Sequence, residues 1–375
     1  MLDTNVIQDE VSAIGVASAQ PRWRSQIQLA RGLAPTPRPW LLLLITGVAF
    51  GPYGLGILSG TVLNVLDPAV SAALATLGAF VGMEVDIRRM RSSPSLVAGS
   101  VEAFATLVTV AGGMLAVHSL ADSSVASPWL FAVLLGICAA SSASPPPSPA
   151  REITGLGGSG DLVPIVIGLP ILAAMRSQTP GEIATLTFGF TVVALAVAVA
   201  CWLLVSRTSS VTEERVFAIG GLLLLGGAAA YLSLSSLFAG FAAGVVWRAA
   251  GIEVRDRIAQ DLGYLQRPVV GLLLLVAGAR LHVSIALAGF ISLYVLCRIA
   301  GKLAGRLLAR RFVKPGEPAD LSLFSPGIIG VALALNVLQV RGQDDIAATL
   351  FPVVVVGSFA ADLVSLVVRE REPAR

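Results

Sequence analysis

Apolar stretches about as long as a bilayer crossing recur along nearly the whole chain, and this limits what it can fold into. A hydrocarbon core about 30 Å thick takes a helix of about 20 residues. Windows of that size predict twelve helices, over 40–60, 68–87, 95–117, 126–146, 161–178, 183–205, 215–232, 233–250, 266–280, 284–308, 318–340 and 345–368. In lipid every backbone N–H and C=O must be satisfied inside the protein, so such segments become helices and not open strands. The expected fold class is an all-α membrane protein with about 12 transmembrane helices. Composition agrees: 55% of the 375 residues are apolar and 13% charged, against roughly a quarter charged in soluble domains. A net charge of +3 is too small for nucleic-acid binding, which neutralises many phosphates. Cys138, Cys201 and Cys297 lie in apolar stretches without metal-ligand spacing and read as packing residues. No metal site and no cofactor is expected.

Basic residues set the orientation, because cytoplasmic loops carry the excess of Lys and Arg. With residues 1–38 read as a cytoplasmic tail, 23 of the 26 basic residues fall inside and three, Arg176, Arg280 and Arg341, fall outside. Both termini are therefore expected in the cytoplasm, with 371–375 as the C-terminal end of a membrane domain spanning 39–370. Val11 to Ala19 is too short to span and lacks the basic start of a signal peptide.

The set of helices one to five starts inside at Pro39 and the set of helices eight to twelve starts outside near Ser233, the arrangement of an inverted repeat. The fourth helix of each set is the most interrupted. One carries Ser141, Ser142, Ser144 and Pro145 before two further prolines; the other carries Ser325, Pro326 and Gly327, with Asn336 further on. Matching interruptions in two halves point to a site where broken helices cross. Pro145 to Pro147 can also be read as the end of a short helix.

Ionisable residues inside a membrane cost about 2.5–3.5 kcal/mol on insertion scales and are functional candidates by default. Glu102 lies about two turns into its helix. Gly99, Glu102, Thr106, Thr109 and Gly113 share one small, polar face, opposite Val101, Phe104 and Val108. Glu102 reads either as a proton or cation ligand or as the partner of a buried Arg. Tyr294, Arg298, Lys302, Arg306 and Arg310 recur at four-residue spacing. The last three are expected to snorkel to the cytoplasmic surface. Arg298 is deeper and needs an acid, with Glu102 and Asp362 available. Asp161 opens the fifth helix, where an anion suits the helix dipole. No nucleophile triad appears, and Gly155 to Gly160 lacks the Lys of a phosphate loop, so an enzyme is not expected.

Several segments, in order, resemble the bacterial monovalent cation:proton antiporter family of the potassium-efflux and sodium/proton exchanger type. They are Gly51-Pro52-Tyr53-Gly54-Leu55-Gly56, Gly82-Met83-Glu84-Val85-Asp86, the Ser-rich run from Ala140 to Glu152, Gly240 to Gly244, Gly278-Ala279-Arg280-Leu281, the buried base Arg298, and Pro326 to Asn336. The resemblance covers about residues 39–370. It implies a secondary transporter in the bacterial inner membrane, working as a homodimer, that exchanges protons for sodium or potassium. It also implies a mobile core, here 95–178 and 284–368, moving against a panel, here 40–87 and 183–280. There are two departures. The family has one more helix before Pro39. Its cation-binding Asp pair falls on Pro170 and Ile171 in the best alignment, so the acid must come from Glu102, Asp362 or Asp161. The alternative implied is a transport-dead or regulatory relative, or a carrier of an anionic solute.

Overall fold

The computed structural model describes residues 39–85, 94–121, 127–141, 161–177, 179–207, 211–232, 235–249, 252–309, 311, 328–340 and 344–371. The tail expected over 1–38 lies outside them. In chain order the helices are α1 (Pro39–Phe50), α2 (Gly60–Val65), α3 (Asp67–Glu84), α4 (Pro94–Ala121), α5 (Pro128–Ala140), α6 (Leu162–Ala174) and α7 (Pro180–Arg207). They continue with α8 (Val211–Tyr231), α9 (Ser236–Ala249), α10 (Ile252–Ala279), α11 (Ala288–Ala309), α12 (Ile328–Gln339) and α13 (Asp344–Arg371). All but α2 correspond one to one with the twelve windows.

Among the described residues, three segments, Val97–Ser119, Pro180–Leu204 and Ala288–Ala309, are long and apolar enough to cross a membrane alone; nine other apolar helical segments run 10–17 residues. The short ones have visible causes. α5 stops at Ala140 because Ser141 turns extended, at φ −61° and ψ 142°, ahead of three prolines. α10 is apolar only in its second half. Between α1 and α2 the chain turns at Gly56, whose φ of +70° is open to Gly at no steric cost; its N–H donates to the Gly51 carbonyl at 3.0 Å.

Packing divides the helices by neighbour. α3 packs on α8, α9 and α10, and α7 packs on α8 and α9. α4 packs on α5 and α11, α5 on α6, α12 and α13, and α13 on α11 and α12. Glycines set the closest approaches, because the absent Cβ lets two backbones touch. A Cβ on Gly78 or Gly82 of α3 would strike the Leu237 or Phe241 carbonyl of α9, and one on Gly240 or Gly244 would strike the Ala75 or Ala79 carbonyl of α3. Gly47 of α1 and Gly278 of α10 meet in the same reciprocal way. In an inverted repeat of helices one to five and eight to twelve, α1 corresponds to α9 and α3 to α10. The α3–α9 and α1–α10 contacts are then images of each other, and α4 packs on its own counterpart, α11.

Gly240→Val should destabilise the protein by about 1–3 kcal/mol, the usual cost of overpacking. Gly227→Ala, where a Cβ meets nothing within 4 Å, should not. Thermal unfolding in detergent compares them, and an unchanged midpoint for Gly240→Val would mean that α3 and α9 do not touch there.

Candidate functional site

The site forms where α5 stops. The last four carbonyls of any helix lack intrahelical partners and carry the negative end of its dipole. Here Ser141 turns its hydroxyl back onto the Cys138 carbonyl at 2.9 Å. The Ala140 and Ser141 carbonyls are met by bases from α11. Lys302 Nζ donates to the Ala140 carbonyl at 3.1 Å, and Arg298 Nη2 donates to the Ser141 carbonyl at 2.9 Å. Arg298 Nη1 also donates to the Tyr294 hydroxyl, at 3.3 Å. Tyr294 in turn packs on α13 at Gly357.

Glu102 of α4 completes the group. Its carboxylate Oε1 lies 3.2 Å from Lys302 Nζ. Asp161, wholly buried at the start of α6, is close enough to Lys302 to interact electrostatically. Two acids and two bases thus lie around the C-terminal end of α5, with Lys302 and Arg298 each only 1% exposed and Glu102 7% exposed.

Two expectations from the sequence are corrected. Glu102 pairs with Lys302 and not with Arg298; among the described residues the Arg298 guanidinium is bound to the Ser141 carbonyl and the Tyr294 hydroxyl. Lys302 does not snorkel; it is buried. The physical reason is Gly301 and Gly305, on either side of it. Cβ atoms there would fall 2.8 Å from the Cα atoms of Thr106 and Glu102. That closeness draws α11 onto α4 and carries Lys302 inward. A Gly-x-x-x-Gly pattern at 301–305 is a readable signal of such contact.

Other candidates lie elsewhere. Asn336 of α12 is buried and bonds across helices: its Oδ1 accepts from the Ser236 N–H at 3.1 Å, and its Nδ2 donates to Ser235 Oγ at 3.0 Å. Ser235 Oγ also accepts from the Phe238 N–H at 3.0 Å, so Ser235 caps α9 and Asn336 extends the cap. Asp362 falls on α13, and its side chain lies outside the description. Ser142, Ser144, Pro145, Ser325, Pro326 and Gly327 lie outside the described residues.

The described residues are all helical in the regular elements they form, and the arrangement is the membrane-protein fold seen in a solved sodium/proton antiporter. The chain is similar to the solved structure of the sodium proton antiporter MjNhaP1 from Methanocaldococcus jannaschii, with a TM-score of 0.55 and 17% sequence identity, over 88% of this chain and 89% of that one. No family profile and no curated sequence matches it.

Proposed function

We propose that the chain is a secondary transporter that exchanges protons for a monovalent cation, sodium or potassium, across the bacterial inner membrane. The observation that carries this reading is the buried Glu102–Lys302 pair at the carbonyl end of α5. C-terminal ends of broken helices offer oxygen ligands to small cations. A cation reaching Glu102 would find a carboxylate together with the Ala140 and Ser141 carbonyls, and would have to displace the Lys302 ammonium. Asp161 and Asp362 are the other acids proposed for the exchange. In this reading α4, α5, α6, α11, α12 and α13 move as a core against the remaining helices, and two chains form a homodimer.

The test is proton flux in proteoliposomes with sodium, potassium and lithium offered in turn. Flux driven by any of them supports exchange. Absence of flux with all three, with protein verified in the vesicles, favours the second reading: a transport-dead relative or an anionic-solute carrier. The acid-free run from Leu162 to Ala174, with Pro170 inside the helix, speaks for that reading. The engagement of Arg298 and Lys302 with carbonyl oxygens speaks against an anion site there.

The orientation is proposed from the basic residues, with both termini cytoplasmic. Ser123→Cys should react with an impermeant thiol reagent added to intact cells; labelling only after lysis would reverse the assignment.

A further inference from the structure

Along the flank of α4 that carries Val97, Val101, Phe104 and Val108, an open groove of about 800 Å³ runs between α4, α6 and α11. Of its twelve lining residues only Ser100 and Thr109 have polar side chains. The Thr109 hydroxyl is already spent on the Ala105 carbonyl at 2.8 Å. Phe104 and Val108, in the same wall, are 55% and 51% exposed. Such a wall offers water nothing, because an ordered water needs two to four polar partners. Within a membrane the phase that borders it is hydrocarbon. A basic residue follows the groove-lining part of α11 in sequence. Arg311 is exposed just past α11, three residues beyond Leu308 and seven beyond Ala304, both of which line the groove. That spacing is one helical face, and the Arg311 N–H holds the turn by donating to the Leu308 carbonyl at 3.2 Å.

We propose that this groove binds an acyl chain of an anionic phospholipid, whose headgroup phosphate is held by Arg311. The walls adjoin the buried ionisable residues: Val101 precedes Glu102, Leu162 follows Asp161, and Ala304 lies two residues beyond Lys302. A bound chain therefore braces the three helices that carry Glu102, Asp161 and Lys302. The proposal does not depend on what the protein transports.

The test offers the delipidated full chain phosphatidylglycerol or phosphatidylcholine with identical acyl chains, and counts retained lipid by native mass spectrometry. Phosphatidylglycerol should be retained preferentially. Ala304→Phe, which fills the groove, should remove the retained lipid. Arg311→Gln should lower the preference for phosphatidylglycerol about fivefold, the usual worth of one basic residue at an anionic surface. Val101→Phe repeats the filling from another wall should Ala304→Phe fail to fold. Equal retention of the two lipids by the unmodified chain, or retention unchanged in both filled variants, would overturn the proposal. Displacement of the lipid by excess inorganic phosphate would also overturn it, by assigning the site to a free anion.

Discussion

Lys302→Met lowers the unfolding free energy by about 3–5 kcal/mol, because it leaves the Glu102 carboxylate buried without its counter-charge. Glu102→Gln alone costs less, since Lys302 keeps the Ala140 carbonyl. The double variant Glu102→Gln with Lys302→Met is more stable than the sum of the single losses requires, because neither charge is then stranded. Thermal or denaturant unfolding of the four proteins measures this coupling. The same cycle built on Glu102 and Arg298 gives a smaller coupling, as Arg298 is bonded to Ser141 and Tyr294. A larger coupling to Arg298 than to Lys302 would mean that Glu102 pairs with the wrong base in this structure.

Transport shows the second large effect. Glu102→Gln abolishes cation-driven proton flux in proteoliposomes even where the protein folds, since an amide can ligate a cation weakly but cannot cycle a proton. If one carboxylate serves both ions, as proposed, they compete in the unmodified protein. Apparent cation affinity then falls as pH drops through the range where the site takes up its proton, and recovers as pH rises. Undiminished flux in Glu102→Gln moves the exchange to Asp161 or Asp362, which Asp161→Asn and Asp362→Asn separate. A cation affinity that does not change with pH would end the shared-site mechanism altogether.

Hydropathy located the membrane helices because length and apolarity are what the bilayer selects, and all twelve windows correspond to helices. It could not place the ends. The window ran α5 on to residue 146, whereas the helix stops at Ala140 with Ser141 extended; residues 318–327, where the window for α12 begins, lie outside the described ones. An average over side chains does not register a backbone that turns at Ser141. It also missed the polar first half of α10, from Ile252 to Gln266, where the helix continues through charged sequence. At the site, depth along the helix was a sound guide for Glu102 and Arg298, both buried, but not for Lys302. Closeness to a helix end says nothing about a neighbouring helix pressed against that end. Gly301 and Gly305 carried that information, and only in combination with the small face of α4.

The amide of Asn336 engages one N–H donor and its carbonyl acceptor at the start of α9. If α12 slides past α9 during exchange, the Ser236 N–H and the amide itself must find other partners, and at an opening seam the available one is solvent. Turnover then includes an uptake of water that has no counterpart in the ion stoichiometry. Solutes excluded from the seam lower the activity of that water, so osmotic stress should slow exchange. The speed of the protein would thus be set in part by how dry its surroundings are.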